Sequence, residues 1–200
     1  MQVLLAVLSG VFGYLIGSVN TSIIIGKCYG VDIRTKGSGN AGATNAVRVL
    51  GKLPGILVFL GDFLKGLVAC FLGSLLVQDL AVIAGAGAVL GHNFPVYFGF
   101  KGGKGIATSF GVLLFMDYRV AVIVGLICVV LIVTTRIVSF SSLIGFFLLP
   151  FVTFFVNPGP NFLYVYITAF LTILTFFAHR QNIVRLANGT ENRFGSKKEK

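Results

Sequence analysis

Tyr118-Arg119-Val120-Ala121-Val122-Ile123-Val124-Gly125-Leu126-Ile127-Cys128-Val129-Val130-Leu131-Ile132-Val133-Thr134-Thr135 runs through one apolar side chain after another, and Arg119 at its leading edge is its one charged residue. Coiled as a helix at 1.5 Å per residue it reaches about 27 Å, close to the ~30 Å of hydrocarbon in a bilayer. Comparable runs recur at roughly 2–25, 53–77, 80–99, 137–156 and 161–178, with a shorter one at 105–116. The shorter run is too brief to cross unaided, so it either extends toward Lys104 or re-enters on one side. For that reason an even number of spans stays open. Composition agrees with the runs: 56% of the 200 residues are hydrophobic and 11% are charged, where a soluble domain carries about a quarter charged. Mean hydropathy is +0.95. The expected fold is an all-α integral membrane protein of seven transmembrane helices, a single domain over 1–193 followed by a polar basic tail, 194–200.

The charges orient the chain. Lys27, Arg34, Lys36, Arg48 and Lys52 fall between the first two spans, Lys101 and Lys104 between the third and fourth, and Arg136 between the fifth and sixth. Arg180, Arg185, Arg193, Lys197, Lys198 and Lys200 follow the seventh. The opposite loops hold Arg119, with Gln78-Asp79, Asp117 and the turn from Asn157 to Asn161. Basic residues concentrate on the cytoplasmic side of membrane proteins, which places the amino terminus outside and the carboxyl terminus in the cytoplasm. The same rule accounts for the net charge of +10 without nucleic acid. No Lys or Arg precedes Lys27, so the basic region of a cleavable signal is missing and the first run is expected to persist as a helix. Cys28, Cys70 and Cys128 lack metal-ligand or disulfide spacing and read as packing residues.

Two glycine-rich stretches lie on the predicted inner side. The first is Gly37-Ser38-Gly39-Asn40-Ala41-Gly42-Ala43-Thr44-Asn45, flanked by Arg34, Lys36, Arg48 and Lys52. Glycines let peptide N–H groups approach an anion without a Cβ in the way, so phosphate is the expected guest. Gly37-x-Gly39-x-x-Gly42 matches a dinucleotide fingerprint in form, yet that fingerprint requires a preceding strand, and none is expected here. The second stretch runs from Gly91-His92-Asn93-Phe94-Pro95 to Lys101-Gly102-Gly103-Lys104-Gly105. Gly105 follows Lys104 where a Walker A loop needs Ser or Thr. Lys104, boxed between glycines, is the better phosphate ligand; Lys101 reads equally well as a positive-inside charge. Pro95 ends or kinks the third helix.

Three further polar groups interrupt the apolar background. Asp62 and Lys65 stand three apart in the second span, close enough to pair on one helical face. Such a pair reads as structural support, as does His92. Arg136, Ser139 and Ser142 open the sixth span. His179 and Asn182, leaving the seventh, share one face of a continuing helix. A soluble-type glycerolipid acyltransferase would show His-x4-Asp, but the fifth residue after His92 is Tyr97 and after His179 is Val184. Asp32, Asp62, Asp79, Asp117, Glu191 and Glu199 are scattered, so no carboxylate cluster for a metal-dependent phosphotransferase is expected. A transporter of a phosphorylated metabolite is the competing class, since glycine loops and broken helices also suit one. The motifs crowd onto one side and no inverted repeat is visible, which favours an enzyme.

In sequence order, Tyr14 to Ser18, Gly37 to Asn45 with Arg48, Asp62 to Gly66, Gly91 to Gly105, Arg136/Ser139/Ser142 and His179-Arg180-x-Asn182-Ile183 with Gly189 and Glu191 resemble the bacterial membrane acyl-phosphate:glycerol-3-phosphate acyltransferases. The resemblance implies acyl transfer from acyl phosphate to the 1-hydroxyl of sn-glycerol 3-phosphate, giving lysophosphatidic acid and inorganic phosphate. It implies a multi-pass protein of the bacterial inner membrane, with membrane lipids as neighbours and the site facing the cytoplasm; a monomer is the expected state, though the sequence itself does not reveal it. No cofactor, metal or covalent intermediate is expected. At matching positions it implies that Ser38, Arg48, Lys104, Ser142, His179 and Asn182 line the phosphate sites, with Ser38, Lys104, His179 and Asn182 nearest the chemistry. The glycine geometry adds Gly37, the Gly39 and Asn40 amides, and Thr44 and Asn45 as side-chain donors.

Overall fold

The computed structural model describes residues 1–76, 80–156, 159 and 161–193. The expected basic tail 194–200 and the Gln78-Asp79 loop lie outside the described residues. The regular elements are helices: α1 (Gln2–Ser18), α2 (Thr21–Cys28), α3 (Ala43–Leu50), α4 (Lys52–Leu76), α5 (Ala81–Asn93), α6 (Ile106–Met116), α7 (Tyr118–Thr135), α8 (Val138–Val156), α9 (Phe162–Ala178) and α10 (Arg180–Ala187), with 3-10 turns at Ile33–Thr35 and Val96–Phe98. No strand occurs among the described residues, so the dinucleotide fingerprint has no strand to follow.

Five segments are long and apolar enough to cross a membrane: Gln2–Cys28, Lys52–Leu76, Ala81–Phe98, Tyr118–Thr135 and Val138–Val156. A sixth is available if α9 and α10, bent by 61° at their junction, count as one span. The short fourth run expected at 105–116 forms α6, whose 11 residues extend about 16 Å, half the hydrocarbon thickness. Two compact units are distinguished, Met1–Met116 and a second beginning at Asp117. The boundary falls where α6 ends and the Asp117 side chain caps α7 by accepting from the Arg119 amide.

In the first unit α1 meets α5 along a stripe of small residues. Ser9, Gly13 and Gly17 form its buried face, and a methyl at Gly13 or Gly17 would collide with the Ala84 or Ala88 carbonyl. Lipid tails are as apolar as side chains, so helices in a membrane associate by such close backbone packing rather than by hydrophobic drive. The rest of α1 turns Val3, Leu4, Val7, Leu8 and Val11 outward. Helix α4 packs on α6 the same way, with Gly66 against the Thr108 carbonyl and Gly111 against that of Phe63.

The first span breaks at Val19-Asn20. Asn20 is fully buried and caps α2, its Oδ1 accepting from the Ile23 amide at 3.1 Å and the Ser22 hydroxyl at 2.9 Å. α5 stops at Asn93, two residues before Pro95, as a proline's steric demand on the preceding residue requires. In the second unit α7 turns into α8 through Arg136 in the left-handed region at φ 60°. α8 then packs on α9, where the Thr172 hydroxyl donates to the Phe146 carbonyl at 2.6 Å.

Candidate active site

The first unit brings the two glycine-rich loops together. Arg34 Nη1 donates to the Phe98 carbonyl at 3.0 Å, and Lys27 Nζ lies 5.7 Å from the centroid of the Phe98 ring. Gly103 sits so tightly that a methyl there would strike both the Ala41 carbonyl and His92 Nε2. Segments more than sixty residues apart in sequence therefore share one surface. Lys104 is half-buried in it, while Ser38, Arg48 and Lys101 are exposed and Thr44 is half-buried.

The loop at 37–45 is held from beneath. Asn45, 1% exposed, accepts the Ser38 amide on Oδ1 at 2.8 Å and donates to the Ile33 and Lys36 carbonyls at 3.0 and 3.1 Å. Expected as a donor to substrate, Asn45 has both amide hydrogens committed to the fold. The Gly39 amide, likewise expected at a phosphate, donates to the Lys36 carbonyl at 3.0 Å. Gly37 and Gly39 take positive φ, 61° and 73°, the region that makes glycine the residue of choice for so tight a reversal. Asp32 and Arg34 brace the approach: the Arg34 guanidinium donates to both Asp32 carboxylate oxygens. That side-chain hydrogen bond, with the Arg34 amide behind it, lowers the Asp32 carboxyl to about 2.

Behind the second loop lies a buried polar cluster. Lys65 Nζ stands 2.9 Å from Asp62 Oδ1, 2.9 Å from the Val19 carbonyl and 2.9 Å from His92 Nδ1. Asp62 Oδ1 is 3.4 Å from the same His92 nitrogen. No histidine in the sequence has a carboxylate at a recognisable spacing, yet the fold supplies His92 with one across helices. Both charged side chains are almost fully buried, at 8% and 2% exposure. Removing one partner of such a pair costs about 3–5 kcal/mol, because the other charge is stranded.

The second unit carries the remaining candidates. The continuing helix expected through His179 and Asn182 does not form: the chain bends by 61° between α9 and α10. The Thr175 carbonyl accepts both the His179 amide and His179 Nδ1 at 2.9 Å, and a side chain inserted into the carbonyl ladder is a recognised cause of a kink. A carbonyl only accepts, so Nδ1 carries a hydrogen. Asn182 sits on α10, donating to Glu191 Oε1 at 2.8 Å, while Arg185 Nε donates to Glu191 Oε2 at 2.8 Å. The Ser142 hydroxyl donates to the Val138 carbonyl at 2.9 Å within α8. Among the described residues no three His, Cys, Asp or Glu side chains gather as metal ligands would.

Two structural residues escaped the sequence reading. Asn20 was visible only as a polar break, Ser18-Val19-Asn20-Thr21-Ser22, in the first apolar run. Glu191 was noted for its motif, with nothing local to show that it clamps Asn182.

The family model described as glycerol-3-phosphate acyltransferase matches residues 7–189. Among similar proteins, the glycerol-3-phosphate acyltransferase of Halalkalibacterium halodurans is 46% identical over 193 residues, covering 93% of this chain and 94% of that protein. The one from Clostridioides difficile is 40% identical over 210 residues and covers both chains completely. The crystal structure of PlsY (YgiH), an integral membrane glycerol 3-phosphate acyltransferase, in its glycerol 3-phosphate form, superimposes with a TM-score of 0.89 at 38% identity, over 95% of this chain and 96% of that one. Its lysphosphatidic acid form gives 0.86 at 37% identity, over 95% of each.

Proposed function

The chain belongs to the glycerol-3-phosphate acyltransferase family, membrane enzymes of phospholipid biosynthesis, and we propose that its acyl donor is an acyl phosphate. The reaction joins that acyl group to the 1-hydroxyl of sn-glycerol 3-phosphate and releases inorganic phosphate with lysophosphatidic acid. The observation that carries this reading is the seating of Gly103 against Ala41, which makes one cationic surface of two glycine-rich loops. Both substrates bear phosphate and one bears a long alkyl chain, a pair suited to such a surface at the edge of apolar helices. Ser38, Arg48, Lys101 and Lys104, with Gly37, Asn40 and Thr44, hold phosphate; Asn45 and Gly39 shape the loop. Phosphate contact is also assigned to Ser142, His179 and Asn182, the positions that match the family's motifs.

Acyl phosphate is an activated mixed anhydride, so the enzyme's task is to align two reactants and to stabilise charge developing on the carbonyl oxygen. The hydroxyl proton passes to a substrate phosphate oxygen; neither a metal nor an acyl-enzyme takes part. The chain is monomeric in the bacterial inner membrane, its seven apolar runs arranged with the amino terminus outside and the phosphate-binding loops in the cytoplasm, in keeping with its basic residues.

Purified protein in detergent, given palmitoyl phosphate and glycerol 3-phosphate, releases phosphate and forms lysophosphatidic acid on this reading; absence of either product would refute it. Lys104→Ala removes a charged hydrogen-bond donor worth about 1.5–3 kcal/mol, a loss of roughly ten- to over a hundredfold in kcat/KM.

A further inference from the structure

We infer that Asp62, Lys65 and His92 form a buried positioning relay that fixes the Gly102-Gly103-Lys104 segment, and with it the reach of Lys104 to substrate phosphate. The inference rests on the acyl-transfer reading above.

An ammonium has three N–H donors and no lone pair. Lys65 Nζ donates to the Val19 carbonyl and to His92 Nδ1, each at 2.9 Å, and forms an ion pair with Asp62 Oδ1 at 2.9 Å. They belong to three elements, since Val19 lies at the break between α1 and α2, Asp62 on α4 and His92 on the last turn of α5. Because Nδ1 accepts, the imidazole hydrogen sits on Nε2, the ring atom that lies against Gly103. The backbone continues the connection: the Gly103 amide donates to the His92 carbonyl at 3.1 Å and the Gly102 amide to the Asn93 carbonyl at 3.2 Å. Any rotation of His92 therefore moves Gly103, and Lys104 is the next residue.

Ionisable side chains within an apolar span carry a standing cost and usually mark function. An apolar pair of similar volume often packs helices as well as a buried ion pair or better. Simple adhesion of α4 to α5 thus gives no reason for two opposite charges and an imidazole behind the loop, whereas orientation of that loop does. These three side chains touch no reacting atom and are positioning residues.

The test uses the full chain in detergent, with the rate of phosphate release measured against glycerol 3-phosphate at saturating palmitoyl phosphate, alongside thermal unfolding. Asp62→Asn with Lys65→Met removes both charges together, so no stranded ion confounds folding. His92→Asn retains an acceptor near Lys65 but lacks the Nε2 edge that meets Gly103. Both variants are expected to raise KM for glycerol 3-phosphate about tenfold or more, with a much smaller change in kcat. KM within twofold of wild type in both, whatever the melting temperature does, would assign the cluster to helix packing and overturn the proposal. Should the double variant not fold, His92→Asn decides by the same criterion, and Lys65→Arg, which keeps a cation at that place, is expected to restore part of the affinity. Wild-type protein that releases no phosphate refutes acyl transfer and the relay together; active wild type with unaltered variants refutes the relay alone.

Discussion

Asn45 accepts the backbone amide of Ser38 at 2.8 Å while spending both of its own hydrogens on the carbonyls of Ile33 and Lys36. One buried amide thus closes a loop whose leading residues, Gly37, Ser38 and Gly39, are exposed. Asn45→Asp keeps the acceptor for Ser38 but turns a carboxylate toward two carbonyl oxygens. Each carbonyl left unpaired costs about 1–3 kcal/mol, so a lower melting temperature and a fall of about tenfold or more in kcat/KM are expected. Thermal unfolding and steady-state kinetics on the purified variant check both.

His179 is oriented by the Thr175 carbonyl through Nδ1. If a substrate phosphate takes the proton, His179→Gln retains hydrogen-bonding capacity and a substantial part of kcat, while His179→Ala loses more through KM than through kcat. Abolished turnover in His179→Ala with substrate affinity intact, unrescued by glutamine, would instead make the imidazole the base.

Glu191 holds Asn182 and Arg185 with its two carboxylate oxygens. Glu191→Gln keeps an acceptor for Asn182 and gives up the ion pair, worth at most about 1 kcal/mol where Arg185 is partly exposed. Glu191→Ala releases both partners. Catalytic efficiency is expected to fall in the order wild type, Gln, Ala, with the larger step at Ala; kinetics of the two variants side by side would reveal a reversed order.

Asp32 sets a pH dependence. Its carboxyl is lowered to about 2 by the Arg34 guanidinium, against about 4 unfolded. A lowered folded-state value means stability that is full above the unfolded value and lost as pH falls toward 2. The side chains are 29% and 43% exposed, so the effect is small after solvent screening. Asp32→Asn is expected to melt slightly below wild type at pH 6, with the gap closing between pH 4 and pH 2.5.

Much of the site was visible as residue types. Lys104 between glycines, the Gly37–Asn45 loop and the Asp62/Lys65 pair all stood out because glycine and charge are conspicuous in an apolar chain. Their roles were less visible. Asn45 read as a ligand until its buried contacts assigned it to the loop, and His179 and Asn182 read as lying on a helix continuing from the last span until a 61° bend placed them at the start of α10. Periodicity alone cannot show an imidazole sharing the Thr175 carbonyl with its own backbone amide.

From its sequence alone the chain determined that it is helical, that it lies in a membrane, and that its glycines and cations gather in two polar loops. Those are properties of hydropathy and residue type, summed over neighbours along the chain. Tertiary structure decided which polar groups meet: the Tyr14 hydroxyl finds the Phe94 carbonyl across 80 positions, and Lys65 joins Val19 to His92. A hydrogen bond depends on ångström distances between segments, and only the packed helices set those.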